Sequence, residues 1–167
     1  AGAALARTMW AEVKRRSELL GATPRELQLD CDWTESSRDR FFGFVRDVKR
    51  ESNVTLSSTI RLHQVKYRET TGVPPVERGM LMFYNMGKLS ADPQRPSIFN
   101  AEDASRYTSG LDSYPLPLDA ALPVFSWAIQ GRAGRVVGLL DKLGPATLDT
   151  LPASIPRRAC RSRTASS

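Results

Sequence analysis

Apolar positions recur along this chain in two alternating rhythms, one at helical spacing and one suited to extended strands. Ala3 to Leu20 carries Leu5, Met9, Val13 and Leu20 on or near one stripe, leaves Lys14, Arg15 and Glu18 for water, and meets a stop at Gly21, which predicts a helix. The turn Ala22-Thr23-Pro24 then feeds an apolar strand, Leu27 to Thr34, LQLDCDWT. Phe41, Phe44, Val45 and Val48 return to helical spacing and predict a helix over Glu35 to Glu51, its first turn capped by Thr34 or Ser36. Val54 to Leu62, VTLSSTIRL, predicts a second strand, and Val65 to Thr71 a short polar helix or turn. Two adjacent prolines in Gly72-Val73-Pro74-Pro75 forbid helix there.

The third strand is predicted over Gly79 to Asn85, GMLMFYN, a nearly continuous apolar run of the kind buried on both faces of a parallel sheet. A loop with Pro93 and Pro96 leads to a helix expected over Asn100 to Leu111 with Asn100 as its cap. Ala121 to Ile129, ALPVFSWAI, is the last clear strand, and Gly131 to Gly134 turns into a shorter apolar segment, Arg135 to Leu140. Beyond Leu143 no periodicity survives, so residues 1–143 are expected to form the domain and 144–167 a disordered Ser/Pro/Arg tail.

The order α-β-α-β-α-β-α-β implies right-handed crossovers and a parallel sheet, hence an α/β fold. An open doubly wound sheet and part of a (β/α)8 barrel both fit. No glycine-rich phosphate loop follows a strand, which leaves a dinucleotide-binding sheet little support. Four strands make half of a barrel of about 250 residues, so a partial TIM-type barrel is the expected architecture.

Charge changes this picture little. The net +6 arises from 24 Lys+Arg against 18 Asp+Glu, but Arg157, Arg158, Arg161 and Arg163 against Asp149 alone put half of it into the last 24 residues. A nucleic-acid binder is expected to carry a basic stripe on a folded face, and the excess here sits in the tail, so no nucleic-acid partner is expected. Cys31 and Cys160 form neither a disulfide framework nor metal-ligand spacing, and Cys31 reads as a small buried apolar residue. His63 is the only histidine. No metal and no cofactor are expected. No apolar run approaches the ~18 residues a membrane span needs, and the N-terminus has no signal-peptide pattern. The chain opens AGAALART without a methionine, so its natural start is expected upstream and the compartment is not readable from this end.

Chemistry in a parallel sheet of either kind gathers at the C-terminal ends of the strands. Strand one offers Asp30, Asp32 and Trp33; strand two Arg61, His63 and Gln64; strand three Tyr84 and Asn85; strand four Ser126 and Trp127. Alternation within LQLDCDWT would send Asp30 and Asp32 to one face, where two like charges repel and one could hold a proton. Acids, hydrogen-bonding groups and aromatic faces at one rim are what a sugar site needs. The plain alternative is that the aspartates neutralise Arg61 and cap the next helix, while the tryptophans pack.

LQLDCDWT resembles the fourth-strand motif of the chitinase-like family 18 glycoside hydrolases, D-G-x-D-x-D-x-E, with Asp30 and Asp32 on its last two aspartates. Met82-Phe83-Tyr84-Asn85 is similar to that family's sixth-strand Met-x-Tyr-Asp, and Trp127 stands in a last apolar strand as the family's floor tryptophan does. Together these cover residues 26–130, the C-terminal half of such a barrel. The same stretch, with TIRLHQVKYR and GVPPVERGMLMFYNMG, also resembles a group of bacterial barrel proteins distantly related to those hydrolases, a likeness that brings no established activity.

The resemblance implies a carbohydrate ligand, catalytic candidates Asp30, Asp32 and Tyr84, and substrate contacts from Trp33, Arg61, His63, Gln64, Asn85 and Trp127. It also allows an exported or periplasmic setting. Thr34 stands where the hydrolases keep their general-acid glutamate, and Asn85 replaces the sixth-strand aspartate. An active hydrolase would therefore need its acid from Asp30, Asp32 or a group outside this half. The alternatives are a non-catalytic carbohydrate-binding or structural barrel, and an incomplete barrel.

Overall fold

The computed structural model describes residues 2–87, 97–108, 110–125, 127–132 and 135–141. The chain divides into two compact units, 1–82 with 107–121, and 83–106 with 122–167.

The first unit opens with helix α1 (Gly2–Leu19), strand β1 (Glu26–Leu29) and helix α2 (Arg38–Ser52). Strand β2 (Thr55–Arg61), two short helices α3 (Leu62–Lys66) and α4 (Arg68–Thr71), and strand β3 (Arg78–Met82) follow. Strand β4 (Leu118–Ala121) completes it. The four strands pair in the order β1-β2-β3-β4, all parallel, with Glu26 opposite Thr55, Ser57 opposite Arg78 and Gly79 opposite Leu118. The expected α/β class with four parallel strands between helices is present.

Helix α1 packs on α2 through fully buried Ala6, flanked by half-buried Met9, Trp10 and Val13. Leu5 and Leu20, expected on the buried stripe, are exposed: the small Ala6 is the side chain that lets the two helices approach closely, and Leu20 lies past the end of the helix in the turn that follows. In α2 the apolar stripe is as expected: Phe41, Val45 and Val48 are buried one or two turns apart. The helix starts at Arg38 rather than Glu35, since Thr34 to Ser37 closes a turn of its own. The Ser37 N–H donates to the Thr34 carbonyl at 3.1 Å and the Thr34 N–H to Ser37 Oγ at 2.9 Å. Those hydroxyls are thus occupied within the turn, and Ser37 is the N-cap residue in place of Thr34 or Ser36. Asn53 ends α2 in the left-handed region, at φ 52°, its N–H donating to the Lys49 carbonyl.

Pairing in register sorts the strand residues into two faces. Leu29, Leu56, Ile60 and Leu81 share one face with Gly79 and Leu118, and those four are buried. Gln28, Ser57, Thr59, Arg61, Arg78 and Asp119 share the other, where Arg78 bridges Glu26 of β1 at 3.9 Å and Asp119 of β4 at 3.2 Å. Strand β3 accordingly alternates between buried and half-buried positions, so the apolar run GMLMFYN is buried on one face rather than two. Gly79 lies where a Cβ would come within 2.7 Å of Leu118 Cδ2 and 2.8 Å of Ile60 Cγ1.

The fourth parallel strand is Leu118–Ala121, not the predicted Ala121 to Ile129. Proline at 123 interrupts that apolar run, and a proline cannot donate to a ladder. The Pro117 carbonyl instead accepts the Gly79 N–H at 2.9 Å, which starts the β3–β4 pairing.

In the second unit, strands β5 (Trp127–Arg132) and β6 (Arg135–Asp141) form an antiparallel hairpin with an irregularity at Gln130/Gly131. The apolar segment after the glycine turn is therefore a strand. Helix α5 (Ala101–Thr108), within which the chain passes back to the first unit at Tyr107, begins as predicted: Asn100 Oδ1 accepts the N–H groups of Glu102 and Asp103 at 2.9 and 3.1 Å. The proline loop with Pro93 and Pro96, Gly134 of the predicted turn, Ser126 and the whole 144–167 tail lie outside the described residues.

Candidate functional site

Strand β1 ends at Leu29, so Asp30, Cys31, Asp32 and Trp33 leave the sheet in a loop beyond its C-terminal end. The strand alternation expected to put both aspartates on one face therefore does not extend to them, and each has its own donors. Thr59 Oγ1 donates to Asp30 Oδ1 at 2.9 Å. Arg61 Nε sits 3.1 Å from Asp32 Oδ2. Thr59 and Arg61 are two residues apart on one face of β2, the strand paired with β1, so the period of a strand presents both donors side by side to the departing loop.

Gln64 ties the arrangement together from below. Its Oε1 accepts the Arg61 N–H at 2.8 Å, in the manner of a residue three positions into a helix that caps its own N-terminus. Its Nε2 donates to Asp32 Oδ1 at 3.4 Å and to the Trp33 carbonyl at 3.3 Å. The side chain is fully buried, so Gln64 does not meet a ligand directly as expected.

Trp33 also departs from expectation. It is 2% exposed, stacks on Phe41 at 5.0 Å between ring centroids, meets Phe42 edge-on at 5.8 Å, and donates its indole N–H to the Thr71 carbonyl at 2.9 Å. It is a pillar of the first unit's core and offers no free ring face. Cys31, expected to be buried, is exposed between the two aspartates. Partial desolvation and then the Asp30 charge hold its thiol above the ordinary range, so it stays protonated near neutral pH. His63 is exposed on α3, beside Arg61 at the same strand end.

Asp32 and Arg61 are open to solvent, their side chains 51% and 47% exposed. A half-exposed pair of this kind contributes about 0–1 kcal/mol and can be exchanged for ligand contacts at small cost. Thr59 was missed by the sequence reading, although its position two residues before Arg61 marks it as a neighbour on the same face.

The remaining expected residues belong to the second unit. Tyr84 and Trp127 come together through Phe125, which the sequence reading passed over: Tyr84 meets Phe125 edge-on at 5.6 Å and Phe125 meets Trp127 at 5.6 Å. The Trp127 indole N–H lies 3.4 Å from Ser97 Oγ. Trp127 opens the antiparallel hairpin rather than ending a parallel strand. Asn85 has φ 55°, a left-handed conformation that asparagine tolerates, and its N–H donates to the Ile98 carbonyl at 2.6 Å.

Among the described residues no group of three or more His, Cys, Asp or Glu side chains could hold a metal ion, and no helix is long and apolar enough to cross a membrane. Compared with protein-family models, with curated proteins and with solved structures, the chain matches none.

Proposed function

We propose that the rim beyond β1 and β2 is a carbohydrate site in a glycoside-hydrolase-like half barrel. The observation that carries this reading is the placement of Asp30 and Asp32 in the loop leaving a parallel strand, each met by a donor from the adjacent strand. Carboxylates, a guanidinium and a hydroxyl close together at the carboxyl end of a parallel sheet can hydrogen-bond a polyhydroxylated ligand from several sides. The strand order supports the barrel part of the reading. The order β1-β2-β3-β4 advances one strand at a time without reversal, as strands do around a barrel wall, whereas a doubly wound sheet has a switch point.

Binding without hydrolysis is a second reading, favoured by one observation. Thr34 stands at the position of the related hydrolases' acid, and its hydroxyl is engaged with Ser36 Oγ at 3.0 Å and Ser37 Oγ at 3.3 Å. Incubation with a panel of fluorogenic N-acetylglucosaminides, with Asp30→Asn and Asp32→Asn as controls, separates the two. Turnover abolished by either substitution supports hydrolysis. Saturable sugar binding with no turnover supports the second reading, and neither binding nor turnover removes the carbohydrate reading altogether.

A further inference from the structure

We infer that Gln64 is the positioning residue of this rim, fixing the Asp32 carboxylate and the Trp33 backbone in one arrangement through a single buried amide; the functional weight of that role rests on the reading of Asp32 as a ligand-contacting carboxylate. Three polar groups from two segments converge on the amide. The Arg61 N–H at the end of β2 requires an acceptor, and Asp32 Oδ1 and the Trp33 carbonyl, both in the loop after β1, require donors.

Only a primary amide carries an acceptor and two N–H donors on one planar group of this size. The partners also fix which way round it sits: the oxygen must face the N–H, and the nitrogen must face the two oxygens. A glutamate would turn lone pairs toward Asp32 and the Trp33 carbonyl, and a leucine would fill the volume while taking the amide partner from the Arg61 N–H and the Trp33 carbonyl and leaving Asp32 to Arg61 and solvent. Arg61 is then held twice, by its backbone N–H on Gln64 and by its guanidinium on Asp32, so the amide links the strand-two cation to the strand-one anion. Gln64 is fully buried and touches the ligand only through Asp32.

The test uses the full chain and two variants, Gln64→Leu and Gln64→Glu, with carbon-detected NMR of the aspartate side-chain carboxyls, assigned through Asp30→Asn and Asp32→Asn. In Q64L the Asp32 carboxyl resonance and its titration midpoint are expected to move while those of Asp30 stay put, with far-UV circular dichroism unchanged. Affinity for diacetylchitobiose is expected to fall at least tenfold.

Gln64→Glu supplies the rescue. At neutral pH the introduced carboxylate faces Asp32 and is expected to displace it. Burial and the Asp32 charge make the introduced group take up a proton first as pH falls, against the opposing pull of Arg61. Once protonated it can donate again, and the Asp32 resonance is expected to return toward its wild-type position. An Asp32 resonance and midpoint that match wild type in Q64L would overturn the inference. Should Q64L fail to fold, an Asp32 resonance in Q64E that equals wild type at neutral pH overturns it instead. If wild type binds no sugar, the carbohydrate reading falls, and the Asp32 resonance still decides the role of Gln64.

Discussion

Cys31 shows how strongly one residue's properties depend on a strand ending at Leu29 rather than Thr34. Had β1 continued through Thr34, alternation would have turned Cys31 and Trp33 inward together; with the strand ending at Leu29, only Trp33 enters the core and Cys31 stands in the open. Its thiol is nonetheless a poor nucleophile, because partial desolvation and Asp30 both favour the protonated form. In a Cys160→Ser background, iodoacetamide at pH 8 is expected to alkylate Cys31 more slowly than free cysteine, and Asp30→Asn to speed the reaction. Alkylation as fast as free cysteine would contradict the assignment.

Tyr114 gives a second test at this scale. It is buried, its hydroxyl has no hydrogen-bond partner among the described residues, and desolvation, opposed in part by Arg68, pushes its ionisation up to about 12. A folded-state value above the ordinary 10 means that the native protein holds this proton more tightly, so stability falls as pH rises from 10 toward 12. Alkaline difference absorbance should show one of the four tyrosines ionising late, and Tyr114→Phe should abolish that late step. Because the hydroxyl is already unpartnered, Y114F is expected to leave stability unchanged or raise it by about 1 kcal/mol in urea unfolding.

At the scale of elements, what the sequence made legible was whatever a local period encodes. The helix over Phe41, Val45 and Val48 and the Asn100 cap could be read directly, since apolar spacing and capping chemistry are short-range. Strand β4 could not. Its four residues, Leu-Asp-Ala-Ala, are defined by pairing with β3, a partner nearly forty positions away, and the longer apolar run beside them drew the prediction past Pro123. The aspartate site was legible in its residues but not in its geometry, because the partners that separate Asp30 from Asp32 come from β2 and α3.

The same long-range pairing makes Gly79 hard to replace: a Cβ would press on Leu118 and Ile60 from the strands on either side. Gly79→Ala is expected to destabilise by about 1–3 kcal/mol, read as a lower urea midpoint with unchanged slope. Glu77 secures the start of the β2–β3 pairing. Its Oε2 accepts the Leu56 N–H at 2.8 Å and its other oxygen pairs with Lys49. Burial alone would raise its carboxyl, but the hydrogen bonds from Lys49 and Leu56 prevail and hold it below the ordinary 4.5. An acid lowered in the folded state adds stability above 4.5 that is lost as pH falls through the folded value. Glu77→Gln should therefore cost about 1 kcal/mol or less at pH 7, with the gap to wild type closing in acid.

At the scale of the molecule, the first unit is a one-sided sheet. One face is buried and, Ser58 apart, apolar; the other carries Arg78 between two carboxylates, with a buried Ser57 hydroxyl that has no partner among the described residues. Met80, Met82 and Ala121 share that second face with the charged residues. The alternation of helix and strand was legible from the sequence, because crossovers leave a period of their own, and it fits an open sheet and a barrel wall alike. Closure was not legible, since it depends on what pairs with the outer strands. Among the described residues β1 and β4 each pair on one side only. Hydrogen exchange reads this edge by edge. In the isolated chain at low concentration, amides of β2 and β3 should be the slowest, and the alternate amides of Glu26–Leu29 and Leu118–Ala121 that point away from the sheet should exchange as fast as loops. Edge protection that appears only at high concentration would show strands pairing between chains, leaving the four-stranded sheet intact as the unit. Edge protection independent of concentration would mean that the edges are already paired within one chain, and the open four-stranded sheet would then be wrong.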